Sequence, residues 1–292
     1  MRAEEMNAEL NGRTYVVTGS TSGIGREVAL YLADRGGKVL GVGRDAGRCR
    51  EAQREIRART GNSDVTFLTA DLSSQSEIRT VAKDILQLCS TIDVLVNNAG
   101  LFTLTRKETL DGLETQLAVN WLAAFMLTGL LMPRLLKAPC PRVVTVSSGS
   151  HFAGTMHWDD VGLKRGYQGL KAYDQSKLAG VLFSSELSRR LRTAPRLSTY
   201  AVDPGLVKTQ IAAKGTNGLV RLVWKIRTRN GISAEQAAES VAWCAVNAAA
   251  AGKTGLYWKE RKSLPSSPES CDPEAAGRLW ELGERLCGIR YP

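Results

Sequence analysis

The chain is short of the residues that build metal centres and disulfide frameworks. Among its 292 residues are two histidines, His151 and His157, too few for a histidine-rich metal site. The six cysteines, Cys49, Cys89, Cys140, Cys244, Cys271 and Cys287, are scattered and include no C-x-x-C pair. Neither zinc-ligand spacing nor a disulfide framework is indicated, and reduced thiols in a cytoplasmic protein account for them. Aromatic residues make up 6%. No zinc-finger or nucleic-acid motif accompanies the basic charge, so nucleic acid is not an expected partner. The opening residues, Met1-Arg2-Ala3-Glu4-Glu5, lack the apolar core of a secretory signal. The longest apolar stretch, 122–132, is about half of what a bilayer crossing needs and reads as a buried helix. Repeats, low-complexity blocks and linkers are also missing, and residues 1–292 are expected to form one domain.

What is present is a soluble globular composition, 43% hydrophobic and 23% charged. The net charge of +10, with a pI of about 9.5, favours anionic partners such as a phosphorylated cofactor, an acidic substrate or a membrane surface. Short apolar runs alternate with helical patterns almost to the end. Strands are expected at 14–18, 38–42, 65–70, 92–96, 142–147, 197–202 and 255–258. Helices are expected at 24–34, 45–61, 74–89, 110–137, 172–192, 233–249 and 273–287. Near-continuous apolar strands alternating with amphipathic helices imply an α/β fold, a doubly wound parallel sheet of seven strands covered on both faces.

The first strand runs into Thr18-Gly19-Ser20-Thr21-Ser22-Gly23-Ile24-Gly25, and a helix follows. Glycines there permit a tight turn and close backbone approach to a pyrophosphate, and the helix start offers free N–H groups. Further on, Tyr173 and Lys177 are four residues apart, one turn along the same helix face. A phenol with a pKa of about 10 exchanges protons poorly at neutral pH, and a nearby ammonium lowers that value. The pair could therefore be a tuned acid/base.

The spacing Thr-Gly-x-x-x-Gly-x-Gly resembles the fingerprint of the short-chain dehydrogenase/reductase family, and the resemblance continues in order along the chain. Asp71-Leu72 follows strand three, where the family's acidic residue contacts adenine. Asn97-Asn98-Ala99-Gly100 follows strand four, and Asn120 lies in the next long helix, where the family has its catalytic asparagine. Ser147-Ser148 ends strand five, Tyr173 and Lys177 come next, and Pro204-Gly205, Val207 and Thr209 follow strand six. The resemblance implies a Rossmann-type fold and a cofactor held by Gly19 to Gly25 (Gly19, Ser20, Thr21, Ser22, Gly23, Ile24, Gly25), Asp71, Leu72, Asn98, Ala99, Gly100, Tyr173, Lys177, Pro204, Gly205, Val207 and Thr209. It implies hydride transfer between a nicotinamide and a carbonyl carbon, with Tyr173 as acid/base. Lys177 would lower the tyrosine's pKa and hold the ribose. Ser148 would bind the substrate oxygen, and Asn120 would hold a water linking Lys177 to solvent.

Cofactor choice is read after strand two, at Gly41-Val42-Gly43-Arg44-Asp45. Gly43 stands where relatives that prefer NAD usually carry aspartate. Arg44 follows it and suits the 2′-phosphate of NADP(H). Asp45 either turns toward the ribose or caps the next helix. Tyr173 follows Ser148 at a separation of 25 positions. The long insert, with Ser176-Lys177-Leu178-Ala179 and the ending Arg278-Leu279-Trp280-Glu281-Leu282, resembles the retinol-dehydrogenase-like branch. That branch acts on hydrophobic carbonyls and alcohols and uses the second serine of the pair. Trp121-Leu122-Ala123-Ala124-Phe125 departs from it, where a Gly-His pair usually precedes the phenylalanine. Two alternatives stay open: reduction of a C=C bond, as by protochlorophyllide reductase, and NADP sensing without chemistry.

The segment 206–232, where the family places its substrate lid, mixes apolar residues with Lys208, Lys214, Arg221, Lys225, Arg227 and Arg229 and contains no acidic residue. It fits an apolar substrate carrying an anionic group, or a peripheral membrane contact. Gly215 and Gly218 are candidate hinges. The apolar helices at 117–136 and 179–191 predict a homodimer, as in many relatives.

Overall fold

The computed structural model describes residues 10–191, 197–207 and 231–291. Eight strands form one sheet in the order β3-β2-β1-β4-β5-β6-β7-β8. They are β1 (Thr14–Thr18), β2 (Lys38–Gly43), β3 (Val65–Thr69), β4 (Val94–Asn97), β5 (Arg142–Val146), β6 (Ser198–Asp203), β7 (Leu256–Lys259) and β8 (Lys262–Leu264). The first seven are parallel, and β8 runs antiparallel to β7. The helices are α1 (Gly23–Asp34), α2 (Ala46–Thr60), α3 (Gln75–Leu88), α4 (Thr115–Leu135), α5 (Gly169–Arg190), α6 (Ala234–Val246) and α7 (Pro273–Cys287).

Strand residues alternate between two apolar cores, one on each face of the sheet. Val16, Leu40, Leu95 and Val143 face α3, α4, α5 and α7. Tyr15, Val17, Val39, Val96 and Val144 face α1 and α6. The chain builds outward from β1 to β3, then returns to β4 on the other side of β1. That reversal opens a crevice at the carboxyl ends of β1 and β4, the place where such sheets bind ligands.

Two expectations need correction. An eighth strand exists because Glu260 and Arg261 take positive φ values of 49° and 63° in a two-residue hairpin loop, as a type I′ turn requires. Neither residue type advertises that turn, so the hairpin carried no sequence signal. The long helix begins at Thr115 rather than 110. Residues 108–114 form a loop closed by a Glu108–Glu114 bridge, with Leu110 at its tip, 96% exposed. The apolar helices behind the dimer expectation also pack within the chain. Phe125 of α4 and Phe183 of α5 pack on Trp280 of α7, with ring centroids 5.1 and 6.1 Å apart. Tyr291 closes over Phe125 at 5.0 Å and donates to its carbonyl oxygen at 2.6 Å. Helix α4 is long and apolar enough to cross a membrane, but it is mostly buried in this core.

Candidate active site

Gly19 and Gly23 take φ values of 65° and 57°, which only glycine adopts without strain. A Cβ on Gly25 would lie 2.3 Å from Asn98 Nδ2 and 2.5 Å from Gly19 O. The glycine-rich turn is thus closed down on the segment after β4. Asn98 Nδ2 donates to Thr18 O (2.8 Å) and Gly19 O (3.3 Å). Thr18 Oγ1 accepts from the backbone N–H groups of Asn98 and Ala99, each at 3.0 Å. Asn98 therefore shapes the turn rather than reaching out from it, and Thr18, absent from the expected cofactor residues, is its other half. Ser20 also faces inward: it is fully buried and donates to Val42 O at 3.3 Å. Helix α1 starts at Ser22 with no side-chain cap bond, whereas α2, α3, α6 and α7 are capped by Asp45, Ser74, Ser233 and Asp272. Its first N–H groups are left for an anion.

After β2, a Cβ on Gly43 would lie 2.4 Å from Thr21 Cγ2 and 2.8 Å from Cys49 Sγ. An acidic side chain does not fit there without moving Thr21. Asp45 accepts from Arg48 N at 2.8 Å as the cap of α2, which settles its role. Arg44 is exposed and takes part in no ion pair among the described residues. Asp71, partly exposed, accepts from Ser73 N at 2.9 Å, holding the turn that carries Leu72.

At the catalytic end, Ser148 sits beside Tyr173 and favours its ionised form, and its Oγ accepts from Ser150 N at 3.2 Å. Ser147 points the other way and donates to Lys177 O at 3.1 Å. Lys177 Nζ donates to Val146 O at 3.0 Å and sits 5.6 Å from the centre of the Tyr173 ring. A Cβ on Gly100 would lie 3.3 Å from Asn120 Oδ1 and 3.6 Å from Lys177 Nζ. The four residues expected to act together thus converge at the end of β5, beside Gly100.

Asn120 occupies a π-helical turn, Ala118–Leu122, inside α4. Such insertions recur at functional sites because they interrupt the regular hydrogen-bond ladder. Both of its amide hydrogens are engaged, one with Leu101 O (3.0 Å) and one with Ser176 Oγ (2.9 Å), and Oδ1 accepts from Leu101 N (2.8 Å).

Burial dominates the electrostatics. It lowers the Lys177 pKa from 10.5 to about 8, partly offset by the Asp203 carboxylate. It raises the Tyr173 pKa, with the neighbouring Ser148 side chain pulling it back down. Burial is the largest influence on the phenol in the cofactor-free chain. Asp203, 3% exposed, accepts from Tyr257 Oη (2.9 Å) and from Gly205 N (2.9 Å). It sets the turn of Pro204-Gly205, in which Gly205 has a φ of 85°. Asp203 and Tyr257 lie beside the site but matched no motif, whereas Ser176, which accepts from Asn120 and donates to Tyr173 O, was seen only as part of the Ser176-Lys177-Leu178-Ala179 run. Val207 is buried and bridges Ile232. Thr209, the basic residues from Lys208 to Arg229, Gly215 and Gly218 lie outside the described residues.

The long insert after Ser148 is pinned from both sides. Gln175 accepts from His157 N (2.9 Å) and donates to Val161 O (2.8 Å). Tyr167 donates to Glu114 (3.1 Å) and accepts from Gln116 Nε2 (2.9 Å). Phe102 meets the Tyr173 ring edge-on, with centroids 5.7 Å apart.

The family model described as short chain dehydrogenase matches residues 13–218. Human retinol dehydrogenase 12 is 36% identical over 285 residues, covering 98% of this chain and 89% of that protein. Mouse polyprenol dehydrogenase is 38% identical over 290 residues, covering 95% and 84%. A crystal structure of an uncharacterised protein from Mycobacterium paratuberculosis superposes with a TM-score of 0.79 at 32% identity, covering 97% of this chain and 96% of that one. A complex of Pseudomonas aeruginosa RhlG with NADP shares the fold, with a TM-score of 0.69 at 23% identity, covering 94% and 100%. With the matched family model spanning the glycine-rich turn, Asn120 and the Ser148–Tyr173–Lys177 cluster, the chain belongs to the short-chain dehydrogenase family of oxidoreductases, in its retinol-dehydrogenase-like branch.

Proposed function

We propose that the protein transfers a hydride between NADP(H) and a hydrophobic carbonyl compound or alcohol, with Tyr173 as the acid/base. The convergence of Ser148, Tyr173, Lys177 and Asn120 beside Gly100 carries this reading. The residues fit the cofactor. The cradle at Gly19 and Gly25 has no room for a Cβ, and the start of α1 is uncapped. Arg44 is free of ion pairs among the described residues and suits a 2′-phosphate, while Gly43 leaves no place for an acidic ribose ligand. Bound NADP(H) supplies or accepts the hydride.

The Tyr173 hydroxyl gives a proton to the oxygen of the reduced carbonyl, or takes one from the alcohol. Ser148 Oγ hydrogen-bonds the same oxygen and fixes its place. Lys177, in its charged form, favours the phenolate against the effect of burial. Both Asn120 amide hydrogens are taken, so a water at Asn120 would donate to the remaining lone pair of Oδ1 or to a neighbouring carbonyl. Phe102, edge-on to Tyr173, supplies an apolar wall, in keeping with the long apolar alcohols named for the retinol and polyprenol dehydrogenases. A substrate anion or a peripheral membrane contact rests on the basic composition of 206–232 alone. A cytoplasmic setting rests on six unpaired cysteines.

Two substitutions test this, with all-trans-retinal, shorter aldehydes and ketones as substrates and NADPH absorbance as the signal. Tyr173→Phe should lower kcat by about 10²–10⁴-fold and leave the NADPH Kd within a few-fold. Activity retained at the wild-type level would end the assignment. Arg44→Asp should shift preference toward NAD(H) by roughly 10–100-fold, as expected for one charge-assisted pair. An unchanged cofactor ratio would refute the 2′-phosphate role.

A further inference from the structure

His151 is completely buried, in the short helical turn that follows Ser148, and both of its ring nitrogens are bonded. Nε2 lies 3.2 Å from the backbone nitrogen of Ser267, and Nδ1 lies 2.8 Å from the carbonyl oxygen of Ser148. A backbone N–H can only donate, so Nε2 is the acceptor. A carbonyl can only accept, so Nδ1 carries the proton. The ring is therefore neutral and in one tautomer, because a second proton on Nε2 would face the Ser267 N–H. Burial also disfavours the charged ring. The Ser148 carbonyl receives a second bond, from the His151 backbone N–H at 3.1 Å.

The far side of the ring is fixed as well. It packs on Tyr257 of β7, with centroids 4.5 Å apart, and Tyr257 donates to Asp203, which holds Gly205 N. Ser267 opens the turn Pro268–Cys271. From that turn Glu269 accepts from Met156 N at 2.8 Å, giving the insert after Ser148 a second anchor. The C-terminal part of the chain, remote in sequence from the proton-transfer cluster, is thereby tied to the carbonyl of Ser148.

We propose that His151 is a positioning residue: it transmits the fixed placement of the 267–271 turn to Ser148, holding the serine hydroxyl on Tyr173. This rests on the reading of Ser148 and Tyr173 given above.

The test combines one measurement without activity and one with it. Since the chain has two histidines, ¹⁵N-histidine labelling gives two rings, assigned with a His157→Gln variant. The expected result is a neutral, Nδ1-protonated His151 ring; an Nε2-protonated or cationic ring at neutral pH would overturn the proposal. His151→Phe keeps the ring stacking and removes both bonds. With NADPH and all-trans-retinal it should lower kcat at least tenfold in the wild-type background, with the NADPH Kd within twofold. In a Ser148→Ala background it should lower kcat less than threefold, because the group it positions is gone. Equal losses in both backgrounds, or a kcat within twofold of wild type, would overturn the proposal. Ser267→Pro, compatible with the Ser267 φ of −61°, deletes only the backbone donor among the bonds to His151 and should reproduce the loss if His151→Phe does not fold; wild-type kcat in it would overturn the proposal. Tyr173→Phe is assayed alongside. If it stays active, the reading of the site fails; if it is inactive while the His151 variants are normal, the positioning role alone fails.

Discussion

At the scale of the residue, the site holds a lysine against its solvation preference. Lys177 is 5% exposed, and its pKa falls from 10.5 to about 8 on burial. In the cofactor-free protein the unfolded chain therefore binds more protons than the native state between pH 8 and 10.5. Below pH 8 the whole penalty opposes folding. As pH rises through that window it is relieved, so the Lys177 contribution makes stability increase with pH there. The penalty has an upper bound of about 3 kcal/mol, and losing the hydrogen bond to Val146 O returns about 1 kcal/mol of it. Lys177→Met should thus be more stable than wild type at pH 7 by roughly 2 kcal/mol while losing activity, a trade typical of functional sites. Denaturant unfolding at pH 7, 8, 9 and 10 checks this. A stability difference that does not narrow above pH 8 would contradict it. The same scale shows what the sequence could and could not say. The Ser147/Ser148 alternation was legible because strand side chains alternate faces, and the structure turns Ser147 onto Lys177 O. The tautomer of His151 and the place of Asp203 were not, since both depend on partners more than 50 residues away in sequence.

At the scale of the element, each helix and strand near the site is placed by a local device plus one distant anchor. The caps of α2 and α3 at Asp45 and Ser74, and the left-handed Gly61 that ends α2, were readable from residue type and position. The π turn around Asn120 was not, because nothing in Ala118–Leu122 differs from an ordinary apolar helix; its partners Leu101 and Ser176 fix it. The placement of α7 was equally hidden. Its amphipathic pattern predicted a helix but not which surface it covers. Trp280 answers that question, lying 5.1 Å from Phe125, 4.4 Å from Tyr291 and 4.8 Å beneath the Arg190 guanidinium. Trp280→Ala should cost about 3–5 kcal/mol, the usual range for truncating a buried aromatic. Urea or thermal unfolding reads it directly, and a loss under 1 kcal/mol would mean that α7 is not part of the folded core.

At the scale of the whole molecule, the sheet order brings the glycine-rich turn after β1, the Asn98 clamp after β4 and the Ser148 segment after β5 to one edge, though they are spread over 130 residues of sequence. The same architecture decides how the molecule can associate. Apolar residues on α4 and α5 looked from sequence like a surface awaiting a second copy. In the folded chain α7 and Tyr291 already cover them, and Leu178, Leu182, Phe183 and Leu187 are buried in a single copy. A standard interface buries about 800 Å² per partner. To offer that area through α4 and α5, the chain would first have to release α7 and forfeit the aromatic cluster around Trp280. Association through this face would therefore begin with a cost of several kcal/mol, the size of the Trp280 truncation alone. Light scattering of the purified full chain should give the mass of one copy, 31.7 kDa. If instead a dimer forms and Trp280→Ala strengthens it, α7 competes with a second copy for this face. A dimer indifferent to Trp280→Ala would place the contact on another surface. A dimer weakened by that substitution would reverse the argument, making α7 itself part of the interface.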